Sequence, residues 1–174
     1  MIYLDHNATT NLHPDVQGEM MGLALSAPMN PSSIHSYGRK ARSLVEHARK
    51  SVAKLMGFDY STKDYQLIFT ASGTEANQLV ISNFADGEIF ISAIEHMSIF
   101  MHTKLCDNIT VINVDANGLV DQEDLRHKLQ NSKSDKKLVS VMLVNNETGV
   151  IQPIKEISDI AHQYGALMHS DCVQ

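Results

Sequence analysis

The sequence predicts an α/β fold with three layers and a mainly parallel sheet. Short apolar runs typical of buried strands alternate along the chain with longer segments of helical periodicity. Strands that are joined through helices form right-handed crossovers, which leave the strands parallel to one another. The chain has 174 residues, and 43% of them are hydrophobic. This is enough apolar material for a packed core.

The first third of the chain is predicted to be mostly helical. Residues 14–26 begin with a proline suited to the first helical position and carry apolar residues at helical spacing. Residues 30–35 contain a proline and two serines, which exclude regular structure. Residues 39–56 have one apolar and one charged face, and Gly57 follows as a typical helix-ending residue.

Residues 67–84 are predicted to run from a strand through a turn into a helix. The strand covers the apolar residues 67–69, the turn at 70–74 is rich in small and hydroxyl side chains, and Glu75 lies in the first helical turn. A helix that starts this way leaves unpaired backbone N–H groups beside hydroxyls, which suits a phosphate. The simpler interpretation is a plain helix cap, and this turn alone does not separate the two.

The second half of the chain is predicted to supply the remaining strands and helices. The predicted strands are 88–92, 109–114, 138–144 and 166–170. The predicted helices are 98–105, 121–130 and 153–164. Acidic residues in the first turn of 121–130 and Gly165 after 153–164 support those two helices.

Charge and composition exclude several kinds of partner. The net charge is −6, and the basic residues are scattered, so we expect no direct binding to nucleic acid. The sequence has no long apolar run and no recognisable leader, from which we expect a cytoplasmic protein without a membrane partner. Cys106 and Cys172 lie far apart in the sequence, which is typical of a protein from a reducing compartment. The nine histidines lack metal-binding spacing, so we predict no metal site.

Four polar clusters follow predicted strands at their carboxyl ends, where ligands bind in sheets of this kind. They are Ser72-Gly73-Thr74, His96, Asn145-Asn146, and Asp171 with Gln174. Taken singly, each has a simpler interpretation as a helix cap, a partly buried histidine or a turn. Together they match the needs of pyridoxal phosphate (PLP), namely a phosphate-binding turn, an imidazole, an amide and a carboxylate that keeps the ring nitrogen protonated.

Six segments of the chain resemble the amino-terminal part of cysteine desulfurases of the NifS/IscS group, in the aminotransferase class V family of PLP fold-type I. In chain order they are YLDHNATT at 3–10, NPSSIHSYGRKAR at 30–42, FTASGTEANQL at 69–79, EH at 95–96, NNETGVIQPI at 145–154 and HSDCVQ at 169–174. The resemblance implies one partial PLP-binding large domain over 1–174, made of an N-terminal segment 1–37 and βα units 38–174. It also implies that the sheet is incomplete on its C-terminal side and that the C-terminal small domain is absent.

The resemblance implies cofactor-binding roles for residues at the predicted strand ends. Gly73 and Thr74 would hold the phosphate of PLP. His96 would stack over the ring and relay protons, and Asp171 would pair with the pyridine nitrogen.

The remaining site residues would lie near the substrate or the phenolic oxygen of the cofactor. Asn146 and Gln174 would contact that oxygen or the substrate. Asn7, Ala8 and Thr9 would border the substrate entrance.

The activity implied by the resemblance is the removal of sulfur from L-cysteine, giving alanine and a persulfide for iron-sulfur cluster assembly or tRNA thiolation. Sulfur-acceptor proteins would be partners, and a homodimer is compatible with the family. In the family, the Schiff-base lysine lies beyond the segment that ends at Gln174, whereas the last lysine here is Lys155. We therefore expect weak PLP binding and no turnover by this chain alone. We expect Cys172 to lie in the buried cofactor floor, unsuited to carry sulfur.

Two other interpretations stay open. One is a non-catalytic remnant, or half of a split enzyme, that acts as an interaction module and pairs with a complementary C-terminal polypeptide through an unpaired sheet edge. The other is an enzyme of the same family with a different substrate, such as a selenocysteine lyase or another class V transaminase.

Overall fold

The computed structural model describes residues 2–26, 29–59, 62 and 64–174. The chain divides into two compact units, Met1–Phe69 and Thr70–Gln174. Each unit is described by itself below.

The first unit contains two helices at the predicted positions. Helix α1 spans Pro14–Ala24, begins with its proline and buries none of its residues. Helix α2 spans Ser36–Leu55. After α2, Gly57 has a φ of +78° and donates to Lys54 O, while Phe58 N donates to Ala53 O at 2.9 Å. This pair of hydrogen bonds is a Schellman motif, which confirms the predicted helix-ending glycine.

The predicted strand at 67–69 is wrong, because the structure has no strand there. Ile68 and Phe69 are 68% and 47% exposed. The Arg49 guanidinium donates to Leu67 O and lies over the Phe69 ring, 5.1 Å from its centroid. An apolar run becomes a strand only when a neighbour takes its backbone hydrogen bonds. No strand in the described ranges pairs with these residues.

The second unit is built on a parallel sheet. Its strands are β1 (Glu88–Ser92), β2 (Ile109–Ile112), β3 (Lys137–Ser140) and β4 (Leu167–His169). Their order in the sheet is β2-β1-β3-β4, and every adjacent pair is parallel. The predicted α/β class with a parallel sheet is confirmed, and β1 and β3 are the two central strands.

Helices cover both faces of this sheet. They are α3 (Gly73–Ser82), α4 (Met97–Phe100), α5 (Gln122–Asn131) and α6 (Ile154–Gln163). Ile89 and Ile91 of β1 pack in one core cluster with side chains of α3 and α4, whereas Phe90 packs with α5 and α6. This alternation is the two-residue period of a strand, and it gives the predicted three layers. Among the residues that the structure describes, no helix is both long and apolar enough to cross a bilayer.

Two predicted elements differ most in extent from the observed ones. The helix predicted at 98–105 is a short α4 that continues as a 3₁₀ turn at Met101–Lys104. The strand predicted at 138–144 is assigned only to Lys137–Ser140. The backbone nevertheless stays beside the chain that follows β4, since Val141 N donates to His169 O and Leu143 N donates to Asp171 O. The carboxyl ends of β3 and β4 therefore lie together.

Glu95, three residues after β1, connects the ends of the two central strands. Its Oε1 accepts hydrogen bonds from the Ser92 hydroxyl and from Met142 N, the latter at 2.9 Å. Its Oε2 is buried and has no hydrogen-bond partner among the described residues. Burial raises the pKa of Glu95 to about 7 against the lowering effect of those two hydrogen bonds, and the charge of Asp171 raises it further.

We predict that Glu95 makes the free energy of unfolding fall as the pH rises from about 5 to about 8. In this range the folded chain keeps a proton on Glu95 that the unfolded chain, with a carboxyl pKa near 4.5, has released. Higher pH therefore favours the unfolded state, by about 3 kcal/mol at most. Urea unfolding of the wild type and of Glu95→Gln, followed by circular dichroism at several pH values, measures the effect.

Glu95→Gln keeps an acceptor oxygen for Ser92 and Met142 but does not titrate, so its stability relative to the wild type should rise with pH. Glu156→Gln removes an exposed carboxylate and serves as the control. A wild-type-minus-variant difference that stays constant across this range would contradict the burial of a titrating carboxyl at Glu95.

We also predict that Gly165→Ala destabilises the chain by about 1 kcal/mol. Gly165 follows α6 with a φ of +70°, and no atom lies within 4 Å of the position where a Cβ would be added. The loss would therefore come from the backbone conformation alone. Gly18→Ala is the matched control, because Gly18 lies inside α1 with equally open space, and alanine is favoured there. Opposite shifts in urea midpoint for the two variants are expected, and equal shifts would refute this explanation.

Candidate functional site

Polar side chains gather where the chain leaves β1, β3 and β4. His96 follows β1, Asn145 follows β3 and Asp171 follows β4. The Asn145 side chain donates from Nδ2 to Ile94 O at 3.0 Å, and Asp171 O accepts from Leu143 N at 2.9 Å. The three turns are thus joined by hydrogen bonds at the carboxyl edge of the sheet, where ligands bind in α/β folds.

His96 caps a helix and exposes its ring. Its Nδ1 accepts from Ser98 N at 3.1 Å, at the start of α4. This is the simpler role that the sequence left open for His96. The side chain is nevertheless exposed, so the same residue can offer its ring and its Nε2 to a ligand.

A chain of hydrogen bonds connects Asp171 to His96. Asn77 Nδ2 lies 2.8 Å from Asp171 Oδ2 and 2.9 Å from Ser98 Oγ. Ser98 Oγ lies 2.8 Å from His96 Nδ1. The two residues that the sequence placed at the ring of the cofactor are therefore bridged by two others, Asn77 and Ser98, that sequence reasoning missed.

A signal in the sequence could have found Asn77. It lies on helix α3, one turn after Gly73, and it is only 4% exposed. A polar residue on the buried face of an amphipathic helix needs a partner, since an unpaired amide in a core is costly. The sequence marks the position of Asn77, but it does not say which group binds it.

Asp171 stabilises the turn after β4 and affects the pKa of His169. Its Oδ1 accepts from Val173 N at 3.1 Å. His169 Nδ1 lies 3.0 Å from Ser140 Oγ. Burial lowers the pKa of His169, and the Asp171 carboxylate raises it in part. The Asp171 side chain is half-buried.

The start of α3 is capped by side chains, which is the simpler of the two interpretations of this turn. Ser72 Oγ accepts from Glu75 N at 3.2 Å, and Glu75 Oε2 accepts from Ala71 N at 2.6 Å. The first N–H groups of the helix, at Gly73 and Thr74, have no partner within the helix. A Cβ added at Gly73 would lie 3.1 Å from Val173 Cγ2, so the turn and the chain after Asp171 approach closely. A side chain at position 73 would crowd Val173, so this contact also favours glycine.

The turn after β3 is built by Asn145. Its side chain is buried, and its Oδ1 accepts from Glu147 N at 3.0 Å and from Thr148 N at 2.8 Å. This is the ordinary turn that the sequence allowed for the asparagine pair. Asn146 is half-buried beside it, and Gln174 is exposed. Binding roles for Asn146 and Gln174 stay predictions.

Asn7, Ala8 and Thr9 lie in the first unit. Ala8 N and Thr9 N donate to Asp5 O at 3.3 and 3.4 Å, which closes a turn, and all three side chains are exposed. A place at the substrate entrance stays a prediction for these residues.

The expected burial of Cys172 is wrong. Its side chain is exposed, and its Sγ lies 3.6 Å from Ser170 O. Strand β4 ends at His169 rather than at residue 170, so Cys172 lies outside the buried part of the sheet. Cys106 is partly buried.

The chemical types of these groups suit a phosphorylated pyridine. Helix-start N–H groups and the Thr74 hydroxyl are donors suited to a phosphate. The Asp171 carboxylate suits a protonated ring nitrogen, and an exposed imidazole is connected to it by hydrogen bonds. Gly73, Thr74, His96 and Asp171 are therefore the residues that could hold such a cofactor.

Comparison with known proteins gives the family. Residues 2–174 match the family model described as aminotransferase class-V. A cysteine desulfurase IscS from Dictyoglomus turgidum is 38% identical over 99% of this chain and 45% of its own length. The X-ray structure of a NifS-like protein from Rickettsia africae is 49% identical, with a TM-score of 0.95 over 98% of this chain and 47% of that one. A structure described as SspA in complex with cysteine is 25% identical, with a TM-score of 0.86 over 98% of this chain and 50% of that one.

The chain spans a little less than half the length of the curated relatives it matches. The resemblance to the amino-terminal part of NifS/IscS cysteine desulfurases, first seen in six sequence segments, is confirmed. The match covers nearly every residue and both compact units. The chain therefore belongs to the aminotransferase class-V family.

Proposed function

We propose that this chain is the PLP-binding part of a cysteine desulfurase. The observation that carries the proposal is the hydrogen-bonded series Asp171, Asn77, Ser98 and His96 at the carboxyl edge of the sheet. It joins an acid suited to a pyridine nitrogen with an exposed imidazole. Support for the substrate comes from relatives named as cysteine desulfurases and from a similar structure solved with cysteine.

Different residues of the second unit would bind different parts of the cofactor. The N–H groups of Gly73 and Thr74 and the Thr74 hydroxyl would bind the phosphate. Asp171 would keep a proton on the ring nitrogen, and His96 would lie against the ring, with Nε2 free to move a proton. PLP, when bound, supplies the electron sink for bond cleavage in an amino acid substrate.

The substrate would be L-cysteine, with alanine and a persulfide as products for iron-sulfur cluster assembly or tRNA thiolation. Asn146 and Gln174 would contact the substrate or the phenolic oxygen of PLP, and Asn7, Ala8 and Thr9 would border the substrate entrance. Sulfur-acceptor proteins would be partners, and a cytoplasmic homodimer is the assembly that we propose. The chain would form the partial large domain, with residues 1–37 preceding the βα units 38–174.

Turnover would require residues outside these 174. The last lysine in the sequence, Lys155, lies on α6 and forms an ion pair with Asp159 at 2.8 Å. We therefore do not propose Lys155 as the covalent attachment point of PLP. We propose that the chain alone binds PLP weakly and releases no sulfide.

A second candidate is an interaction module that pairs with a complementary C-terminal polypeptide. The specific observation in its favour is the segment 67–69, whose Ile68 and Phe69 side chains are exposed and whose backbone pairs with no strand in the described ranges. Such a segment can pair with a strand from another chain. Recovery of sulfide release on mixing with the C-terminal half of a relative would support a split enzyme.

We predict that Asp171→Ala weakens PLP binding by about tenfold or more, since a hydrogen bond to a charged group contributes about 1.5–3 kcal/mol. Absorbance titration of the 174-residue chain with PLP measures the change. Asp159→Ala on the exposed face of α6 is the control and should bind as the wild type does. Equal affinity of the wild type and Asp171→Ala, or sulfide release from L-cysteine by the chain alone, would contradict the proposal.

We predict that Thr74→Val weakens binding of PLP about fivefold and leaves binding of pyridoxal, which has no phosphate, unchanged. Valine keeps the shape of threonine but removes the hydroxyl that would bind the phosphate. Thr62→Val, in a turn of the first unit, is the matched control. A similar loss for both ligands would place Thr74 away from the phosphate.

A further inference from the structure

We propose that Asn77 and Ser98 are positioning residues that fix the imidazole of His96 relative to Asp171, with its proton on Nε2. The hydrogen-bond arrangement itself stands on the observed contacts. Its importance for the cofactor rests on the proposed function.

Asn77 uses both of its side-chain hydrogens. A carboxylate only accepts hydrogen bonds, so the contact with Asp171 Oδ2 at 2.8 Å identifies the amide nitrogen of Asn77 on that side. The same nitrogen lies 2.9 Å from Ser98 Oγ. Because Asn77 is almost wholly buried, water does not replace either partner, and the amide is held in one orientation.

Ser98 links the fixed amide of Asn77 to the imidazole of His96 through hydrogen bonds. Its Oγ accepts one hydrogen from Asn77, which leaves the hydroxyl hydrogen to donate to His96 Nδ1 at 2.8 Å. The donors therefore run outward from Asn77, one towards Asp171 and the other, through the Ser98 hydroxyl, towards the imidazole.

The backbone N–H of Ser98 favours the same tautomer of His96 as the Ser98 hydroxyl does. Ser98 N also contacts His96 Nδ1, at 3.1 Å, and a backbone N–H can only donate. Nδ1 is therefore an acceptor, and the neutral ring carries its proton on Nε2. The exposed side chain offers this N–H to a ligand, which is the nitrogen that the proposed function needs as a proton donor.

The test compares side-chain ¹⁵N spectra of labelled chains at a pH where imidazoles are neutral. The variant His96→Gln assigns the His96 signals. In the wild type, long-range ¹H–¹⁵N correlations should show the Nε2–H form. Ser98→Ala should shift the Nδ1 signal, Asn77→Ala should shift it in the same direction by a smaller amount, and Ser98→Thr should restore it.

Two controls separate this effect from a general disturbance of the fold. Ser82→Ala and Asn83→Ala remove a hydroxyl and an amide from exposed positions at the end of α3 and should leave the Nδ1 signal in place. Ser98→Ala retains the hydrogen bond between Asn77 and Asp171. It therefore replaces Asn77→Ala in the test if that variant does not fold. An Nδ1–H form in the wild type, or equal signals in Ser98→Ala and Ser82→Ala, would overturn the proposal.

A binding measurement tests the link to the cofactor. Ser98→Ala should bind PLP about fivefold more weakly than the wild type, and Ser98→Thr should bind with nearly wild-type affinity. Wild-type affinity in Ser98→Ala would overturn the positioning role. Failure of the wild type to bind PLP would count against the proposed function, while the spectra would still decide the hydrogen-bond arrangement.

Discussion

Parallel pairing of β1, β3 and β4 is the constraint on which the rest of the second unit depends. Parallel strands all leave the sheet at the same edge, so residues distant in sequence meet there. His96, Asn145 and Asp171 come from three separate βα units, and the hydrogen bonds from Asn145 to Ile94 O and from Leu143 N to Asp171 O join their turns. The candidate site is a consequence of the order of the strands.

Buried polar groups then hold these turns in place. Glu95, Asn77 and Asn145 are all buried, and each bridges segments that are not adjacent in sequence. Such groups must find partners because an unpaired buried polar atom is costly. Only one of the two Glu95 oxygens has a hydrogen-bond partner among the residues that the structure describes, and burial raises the pKa of Glu95. Asn77 donates both of its side-chain hydrogens, one to Asp171 and one to Ser98, which in turn contacts His96.

Similarity to known structures accounts for the backbone of the site but not for its side-chain hydrogen bonds. Similarity to NifS-like structures over 98% of the chain explains why the backbone places the strand ends as it does. It does not identify Asn77 and Ser98 as partners, because a shared fold does not fix the hydrogen bonds of individual side chains. Those contacts are features of the structure of this chain. The chain spans a little less than half the length of its curated relatives.

Local patterns in the sequence determined the helices, the four strands of the sheet, the helix-ending glycines and the polar residues at the strand ends. Those features depend on neighbours a few residues apart, so periodicity and turn chemistry reveal them. Only the tertiary structure decided that residues 67–69 are not a strand, that Cys172 is exposed, and that Asn77 and Ser98 bridge Asp171 to His96. The reason is that pairing, burial and hydrogen-bond partners depend on contacts between residues far apart in the chain, up to 94 positions for Asn77 and Asp171.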